Sequence, residues 1–398
     1  MKLHKTTKVK IFKGITRNVF ILGLVSLFTD LSSQMVFPLI PLFLITVLGA
    51  GACAVGIVEG AAETTASLLK VVSGYWSDKI KRRKIFVLFG YSLSAITKPM
   101  FAFANIWSFV LFIRVIERIG KGLRTAPRDA IVAESSDESV RGKAYGFHRA
   151  MDGIGSVLGA VLAFLLLPIL GYKNIFMFAF IPAIIAVFVI LFIKEKKTLA
   201  KEQETKEISI KLSFKELPMN LKLFIIVSSI FALGHFGYAF LLLRAVDMGL
   251  GDYMAILLYV LFYIVYTICA IPSGILSDKI GRKHVLIAGY VIFGITSLGL
   301  VFTSNIYSIS LLFAIYGIFY AMIDGAQRAF VVDLAPKHLK ATALGTFHTA
   351  IGLVALPGGY IAGLVWDKIS PETTFIYGLT LTIISLVLFT FVKDKMRR

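Results

Sequence analysis

The sequence predicts an all-α membrane protein of about twelve transmembrane helices, built as two pseudo-symmetric six-helix bundles. Three observations support this fold class. The 398 residues are 57% hydrophobic and only 16% charged, and their mean hydropathy is +0.83. Apolar stretches follow one another along the chain, each close to the roughly 20 residues that a membrane span needs. A local motif also recurs in the second half of the chain.

The predicted spans are joined mostly by short connections. In chain order they are 19–45, 55–76, 85–103, 107–130, 144–167, 175–193, 223–243, 254–276, 285–302, 306–332, 343–365 and 375–392. One long polar stretch, 194–222, interrupts this series and predicts a cytoplasmic linker between a first bundle, 1–193, and a second bundle, 223–398. Inside the linker, apolar residues at 208, 210, 212 and 214 alternate with polar ones, which favours a strand-like or surface-lying tether.

The two halves of the chain resemble copies of one another. The segment 74–80, GYWSDKI, matches 274–280, GILSDKI. The same offset aligns Arg128 with Arg328 and His148 with His348. Duplication explains a constant offset simply. Two related six-helix repeats that face each other across a midplane cavity are a recurrent transporter architecture.

The formal net charge of +19 is a topology signal. Basic residues crowd the N-terminus, the linker, the C-terminal tail and alternate short connections, while connections such as 49–53 and 304–305 lack them. Positive loops mark the cytoplasmic side of a membrane. We therefore expect a multi-pass protein of the cell membrane with both termini in the cytoplasm, and nucleic-acid binding is disfavoured. Cys53 and Cys269 predict neither a disulfide framework nor a metal site.

The repeated motif resembles the loop signature between the second and third helices of each half in the major facilitator superfamily. The two copies read Gly274-x-x-x-Asp278-x-x-Gly281-Arg282-Lys283 and Gly74-x-x-x-Asp78-x-x-Lys81-Arg82-Arg83, the latter with lysine where glycine is usual. The resemblance covers essentially the whole chain. It implies the fold of that family, a rocking cycle of alternating access, and a monomer.

The residue types of the motif suggest a gate. Its glycines, Gly74 and Gly274, would allow close approach of helices. Asp78 and Asp278 would accept hydrogen bonds from neighbouring arginines and latch the two halves together at the cytoplasmic mouth. In the alternative interpretation, Arg82 and Arg282 only set the topology.

Two further signatures bear on coupling and direction. Arg118-x-x-Lys121-Gly122-x-Arg124-Thr125-Ala126 resembles the fourth-helix pattern of the superfamily. In drug–proton antiporters the matching arginine is linked to proton coupling, so the resemblance makes Arg118 a candidate for that role. Gly155-x-x-x-Gly159-Ala160 resembles the antiporter motif but has Ala160 where proline is expected, which weakens the prediction of export.

Ionisable residues inside predicted spans are costly, so they usually pair, face water or function. Asp30, beside Ser32, Ser33 and Gln34, is a candidate for binding a proton or a cationic substrate; the alternative is a structural partner of Arg118 or Lys98. Glu59 and Glu63 share one helix face and could form a proton relay or neutralise Lys98 or Arg114. Glu63 is the deeper of the two.

Other charged and aromatic residues complete the set of candidates. We expect Glu117 and Asp152 to be counter-ions of nearby arginines, and His235 to be a cavity residue. Asp324 aligns with Arg124 at the repeat offset, which predicts a salt bridge between the halves. Tyr259, Tyr263 and Tyr266 form a helical stripe that either packs or lines a cavity for organic cations.

These features predict a secondary active transporter that moves a small organic solute by alternating access, coupled to protons, and in one interpretation an exporter. The alternative is an uncoupled facilitator or an importer of the same fold. The expected partners are the solute, protons and the lipid bilayer. No cofactor is expected, because the sequence lacks a nucleotide-binding loop of the G-x-x-x-x-G-K-[ST] type. It also lacks a recognisable catalytic motif, which disfavours an enzyme.

Overall fold

The structure is a computed structural model that describes residues 10–12, 15–80, 82–136, 141–194, 214–336 and 339–393. The side chains of residues 10–12, 78, 141, 215 and 341 lie outside this description. The described chain is almost entirely helical, which confirms the predicted fold class. Two short antiparallel strands, β1 (Lys10–Phe12) and β2 (Ile15–Thr16), precede the first helix.

The helices of the first half run from Arg17 to Ile190. They are α1 (Arg17–Val36), α2 (Leu39–Leu42) with a π-helical turn (Phe43–Val47), α3 (Ala52–Ile80), α4 (Arg83–Met100), α5 (Trp107–Ser135), α6 (Arg141–Phe178) and α7 (Phe180–Ile190). Those of the second half are α8 (Met219–Gly234), α9 (Tyr238–Asp247), α10 (Asp252–Ile280), α11 (Arg282–Phe302), α12 (Ile306–Leu334), α13 (Lys340–Lys368) and α14 (Pro371–Thr390). Short 3₁₀ turns occur at Phe101–Phe103 and Phe214–Glu216.

Ten helical segments of the described ranges are long and apolar enough to cross a membrane. One of them, Gly142–Ile190, has 49 residues and would reach about 73 Å as a straight helix, more than twice the ~30 Å hydrocarbon core. Gly171, at φ +67° and ψ 174°, breaks it into two crossings. With α5, whose charged face makes it less apolar, the described chain has the twelve crossings that the sequence predicts.

The first crossing of each half is interrupted midway. Pro38 separates α1 from α2, and residues 235–237 separate α8 from α9. Proline cannot donate the hydrogen bond that a continuous helix needs. Such interruptions at membrane depth are tolerated where the freed backbone is buried in protein or lines a cavity. We therefore expect both breaks to border the space between the halves.

Glycines set the helix spacing within the first half. A Cβ on Gly155 would lie 2.3 Å from the carbonyl oxygen of Leu27, and one on Gly159 would lie 2.3 Å from that of Leu31. Residues other than glycine would force α6 away from α1. The pair that resembles the antiporter motif thus has a packing role in this chain, because small residues let backbones touch where no hydrophobic effect drives association.

A second glycine crossing joins the two halves. On α3, a Cβ at Gly56 would meet the carbonyl oxygen of Gly359 at 1.9 Å, and on α13 a Cβ at Gly359 would meet that of Gly56 at 2.3 Å. Gly363 lies equally close to Ala52. Helices α3 and α13 are therefore in backbone contact along the part of α3 that precedes its midpoint.

Candidate functional site

The helical bundle has two ends. The terminal face is the end where α1 and α8 begin and α3, α5, α7, α10, α12 and α14 end. The opposite face is the end formed by the connections 48–51, 101–106, 248–251, 303–305 and 369–370. The candidate site lies between them, where the two halves face each other near the middle of α3, α5, α10 and α12.

A buried ion network lies on the side of the site nearer the opposite face. The guanidinium of Arg114, which is 0% exposed, donates to both carboxylate oxygens of Glu59 at 3.1 and 3.2 Å and to Glu117 at 3.3 Å. The guanidinium also lies 4.1 Å from the ring centroid of Phe37. Of the two roles left open for Glu59, the structure favours that of counter-ion to Arg114. The prediction that Glu117 is a counter-ion is confirmed.

Arg118 lies one turn further along α5 and is incompletely satisfied. Its side chain is buried, with Nε 3.4 Å from the carboxylate of Glu117 and the guanidinium 4.8 Å from the ring of Phe37. Neither Nε nor Nη1 has a hydrogen-bond acceptor among the described residues. A buried donor without an acceptor costs about 1–3 kcal/mol, and more when it is charged. Arg118 therefore has unused capacity to bind a ligand.

Two charged residues midway along their helices are exposed although they lie deep in the protein. Glu63 on α3 and Lys121 on α5 are both exposed. The carboxylate of Glu63 interacts electrostatically with Lys121 and Arg118, and also with His348 from α13 of the second half. Glu63 thus faces the space between the halves, and its only described hydrogen bond is from Ser67 at 3.3 Å. The exposure indicates a water-accessible central cavity.

Asp30 on α1 faces the same region. Its carboxylate makes no hydrogen bond or ion pair with a described residue, while the charges of Asp152, Lys121, Arg128 and Arg124 act on it. Neither structural partner considered for Asp30 is formed, because Arg118 pairs with Glu117 and the fully buried Lys98 contacts Ser33 Oγ at 3.2 Å. The geometry therefore leaves the carboxylate of Asp30 available to a proton or a ligand.

Asp152 on α6 is held by neighbours and does not point to a free site. It accepts a short hydrogen bond from Ser26 and lies 3.5 Å from His148 Nδ1 and 3.6 Å from Arg149. This agrees with its predicted role as a counter-ion. No group of three or more His, Cys, Asp or Glu side chains in the described ranges is arranged to hold a metal ion.

The second half presents an aromatic wall to the charged residues of the first. The rings of Tyr263 and Tyr266 have centroids 5.8 Å apart, and that of Tyr266 lies 5.5 Å from Tyr320. Tyr320, 38% exposed, lies within electrostatic reach of Glu63. Tyr259 is buried in packing while Tyr263 is part-exposed, so the stripe packs at one residue and faces the space between the halves at another; binding of organic cations by it stays a prediction.

Gln34 connects this wall to the first half. Its amide nitrogen donates to Tyr263 Oη at 2.5 Å, and its amide oxygen accepts from Tyr259 Oη at 2.7 Å. His235, in the break between α8 and α9, lies behind the wall with Nε2 3.1 Å from Tyr316 Oη. Its ring packs against Phe231 and Phe293. Glu63 is close enough to interact with it electrostatically. His235 therefore lies within a cluster of aromatic rings, and its role as a cavity residue stays a prediction.

The opposite face is sealed by contacts between the halves. Asp367 at the end of α13 accepts the backbone N–H groups of Ala52 at 2.8 Å and Cys53 at 2.9 Å, and so caps the start of α3. Asp252 at the start of α10 accepts from Thr46 at 3.0 Å and from Tyr172. Arg244 and Glu372, 2.7 Å apart, form an ion pair within the second half at the same face.

At the terminal face, the described ion pairs of the repeated motif stay inside one half. Arg282 binds Asp278 at 2.7 Å and Asp333 at 3.3 Å, and thereby ties α10, α11 and α12 together. Arg83 pairs with Glu134 of α5. The predicted latch between the halves is therefore not formed by Asp278 and Arg282, since their charges are neutralised locally. The side chain of Asp78 lies outside the described residues; Arg82 is exposed where α4 begins.

Two other expectations are corrected by the structure. A Cβ on Gly274 would meet nothing within 4 Å, so this glycine does not mediate close helix approach, whereas a Cβ on Gly74 would lie 3.3 Å from that of Ala126. Asp324 pairs with Arg328 one turn along its own helix, and Arg124 bonds Ser94 and the carbonyl of Gly90. The predicted salt bridge between Asp324 and Arg124 is wrong, because each finds a partner closer in sequence or within its own half.

The structure also adds residues that the sequence pattern passed over. In the sequence Lys121 is only one position of the fourth-helix motif, although its spacing of three residues from Arg118 places it on the same helix face. Phe37 and Asp367 carried no signal of their own. Their roles depend on which helix each one meets.

Twelve crossings in two halves, with charged groups facing an aromatic wall across a central cavity, define the class of multi-pass membrane transporters. The model of the Major Facilitator Superfamily matches residues 22–262 and 223–398, and this chain belongs to that family.

Several relatives place the chain within the family. An uncharacterized MFS-type transporter of Methanocaldococcus jannaschii is 43% identical over 388 residues, covering 96% of both chains. A multi-drug resistance efflux pump of Streptococcus pneumoniae, PmrA, is 32% identical over 122 residues, covering only 30% of each chain. Among solved structures, a variant of the nucleoside transporter NupG superimposes with a TM-score of 0.80 at 16% identity, covering 95% of this chain and all of that one.

Proposed function

We propose that this chain is a secondary active transporter that moves a small organic solute across the cell membrane by alternating access, with protons as the coupling ion. The two bundles, residues 1–193 and 223–398, are the bodies that rock about the central cavity, and residues 194–222 tether them. Both termini and the tether lie in the cytoplasm, as the distribution of basic residues indicates. The terminal face is then the cytoplasmic face.

One observation carries the proposal: the two faces of the bundle are closed to different degrees. The described side-chain hydrogen bonds that join the halves lie at the opposite face or near mid-helix, such as Thr64 to the carbonyl oxygen of Gly352 at 2.5 Å. The described ion pairs at the terminal face stay within one half. This arrangement fits a state in which the cavity is sealed on one side and communicates with the other, as alternating access requires.

Proton coupling is proposed from two carboxylates at membrane depth that lack an ion-pair partner within 4 Å in the described chain. Asp30 and Glu63 both face the cavity. A carboxylate at membrane depth that has no partner and faces a cavity is a candidate for a proton relay. Glu59, by contrast, is occupied by Arg114. Arg118 lies near enough to act on Glu63, so a proton taken up there would release the guanidinium toward a solute.

We propose export as the direction of net flux. The likeness to the efflux pump PmrA covers 30% of the chain, and Gly155 and Gly159 occupy the antiporter-like positions against α1. An importer of the same fold is the competing proposal. Direction follows from the sign of the gradient that drives flux, so the experiment that tests coupling also decides it.

The test uses the purified protein in proteoliposomes. A solute library is first screened by thermal stability in detergent, since a ligand that binds the folded state raises its apparent stability. Hits are then assayed for flux with an imposed pH gradient of either sign. The expected result is accumulation against the solute gradient with one sign only, abolished by Asp30→Asn and by Glu63→Gln and retained by the matched control Glu216→Gln, an exposed acid of the linker.

Equal flux with either gradient, dissipating to equilibrium, would indicate an uncoupled facilitator and refute proton coupling. Absence of solute-dependent flux for every hit, although the protein binds them, would contradict the transport proposal itself. Accumulation in wild type and in Asp30→Asn alike would remove Asp30 from coupling and leave Glu63 as the proton site.

A further inference from the structure

Helix α5 carries a row of cations toward the cavity. Arg114, Arg118, Lys121, Arg124 and Arg128 follow one another at spacings of three or four residues, which keeps them on one side of the helix. Arg114 at one end is neutralised by Glu59 and Glu117. Arg128 at the other end binds Asp129 at 2.9 Å. The three cations between them are the ones that matter for a ligand.

None of the three central cations, Arg118, Lys121 and Arg124, forms an ion pair with a described carboxylate that it does not share. Arg118 shares Glu117 with Arg114 and leaves Nε and Nη1 without an acceptor, although it is only 7% exposed. Lys121 is exposed and makes no ion pair within 4 Å of a described acid. Arg124 lies 4.4 Å from the ring centroid of Tyr91 and bonds only neutral groups.

The charge balance of the cavity is positive. In the described α1, the part of α3 before Lys70, α4 and the part of α5 before Arg128, five cations lie at cavity depth, namely Lys98, Arg114, Arg118, Lys121 and Arg124. They face four carboxylates, namely Asp30, Glu59, Glu63 and Glu117. One positive charge is in excess when all are ionised, and two are in excess when either free carboxylate holds a proton. Buried charges tend to be paired, so a negative ligand would complete the set.

The surroundings of Glu63 do not favour a cation. Glu63 is faced by Arg118 and Lys121 from α5, His348 from α13 and His235 at the end of α8. A cationic solute placed near Glu63 would also meet the charges of Arg118 and Lys121. A carboxylate or phosphate placed there would supply the acceptors that Arg118 lacks, and arginine binds such groups through two parallel hydrogen bonds.

The other wall of the cavity suits a flat apolar body. Tyr263, Tyr266 and Tyr320 present part-exposed rings across from the cations. Tyr238 Oη is buried without a partner in the described chain and lies within electrostatic reach of Arg118 and Glu59. Aromatic rings stack on planar solutes with an additional gain beyond the buried area.

We infer that the solute is an organic anion whose carboxylate or phosphate binds Arg118 and Lys121 and whose planar, ring-bearing body lies against the tyrosines of α10 and α12. The inference rests on the proposed function for its site, and it names the substrate class of that site. Protonation of Glu63 would free both cations for the anion, so proton and anion would move together; this cotransport belongs to the importer that competes with export.

The experiment compares probes of one shape and three charges on the full-length protein in detergent: 2-naphthoate, 2-naphthamide and 2-naphthylmethylammonium, at matched ionic strength. Decalin-2-carboxylate, which has the charge without the planar ring, is the fourth probe. Binding is read from the shift in melting temperature and from titration calorimetry. We expect naphthoate to bind at least tenfold more tightly than the amide and the amine, and more tightly than the decalin carboxylate.

The matched variants separate the site from general charge. Lys121→Gln should weaken naphthoate binding at least tenfold, and Lys121→Arg should restore it. Lys173→Gln, which removes an exposed lysine at the opposite face, should leave binding unchanged. Lys121 is exposed, so its replacement is not expected to unfold the protein, whereas Arg118→Gln disturbs a buried pair and is used only if the variant melts cooperatively.

Each outcome bears on a different claim. Tighter binding of the amine or the amide than of naphthoate, or binding of no probe, would overturn the anion assignment while leaving proton-driven flux of other solutes intact. Equal loss of naphthoate binding in Lys121→Gln and Lys173→Gln would remove the site from these residues. Naphthoate that binds through Lys121 but is not transported in proteoliposomes would uphold the anion site, and the transport function would then be refuted only by absence of flux for every bound solute.

Discussion

The glycine contact between α3 and α13 helps to hold the opposite face closed. A methyl group at Gly359 would lie 2.3 Å from the carbonyl oxygen of Gly56, whereas ordinary contacts begin at 3.4 Å. Gly359→Ala would therefore require the two helices to separate by about 1 Å at that point. Overpacking of this kind costs about 1–3 kcal/mol. That energy corresponds to a shift of about 5- to 150-fold between two states.

The cost falls on the sealed opposite face, because each of the two glycines belongs to a different half. Helix propensity acts in the other direction, since alanine stabilises a helix relative to glycine by about 0.8–1 kcal/mol. Any opening therefore reports the clash and not a weaker helix. We expect Gly359→Ala to raise the fraction of molecules that are open at the opposite face.

The assay uses the native Cys53, whose backbone N–H binds Asp367 across the contact. In a Cys269→Ser background, its rate of modification by a water-soluble thiol reagent should rise in Gly359→Ala, with the shift of about 5- to 150-fold as the upper limit because Cys53 is already part-exposed. The matched control is Gly274→Ala, where a Cβ meets nothing within 4 Å and the rate should not change. An unchanged rate in Gly359→Ala, with the protein folded, would refute the argument that this contact holds the face closed.

Three further predictions concern stability and the closed face. Glu117→Gln should reduce the free energy of unfolding by about 3–5 kcal/mol and lower the melting temperature in detergent, because two buried guanidiniums then share one carboxylate fewer. A decrease in melting temperature smaller than that of the exposed Glu216→Gln would contradict this. Asp367→Ala removes the cap on α3, costs about 1 kcal/mol, and should speed the labelling of Cys53; slower labelling would oppose a sealing role. Gly155→Leu should prevent recovery of folded protein by size-exclusion chromatography, while Gly146→Leu, where a Cβ has open space, should not.

The sequence predicts the crossings well because hydropathy reports each span separately. It also identifies the duplication, since Asp78 and Asp278 share a motif at one offset. The helix α5 shows the limit of composition alone. Because one face of α5 is charged, hydropathy alone does not identify this helix as a membrane span. Its burial against α3 and α4 explains how it can cross the membrane.

Partner assignments are less predictable, because they depend on how each helix is rotated about its axis. Glu59 and Glu63 are one turn apart and look equivalent in sequence, yet Glu59 reaches Arg114 and Glu63 faces the cavity. The repeat offset relates Asp324 to Arg124 without bringing them together, since symmetry-related positions lie on opposite sides of the axis. Nothing in the sequence marks Asp367 as the cap of α3, because that contact joins residues over 300 positions apart.

The proposed motion of the two halves is tested most directly by two distances measured by electron–electron double resonance on one protein under several conditions. Spin labels at Lys173 and Ser304 span the opposite face, and labels at Ile80 and Ile280 span the terminal face; all four positions are exposed. Proton-coupled alternating access predicts two populations whose proportions change with pH, with the first distance long where the second is short. A single short distance across the opposite face under every condition, or two distances that lengthen together, would contradict alternating access in this chain.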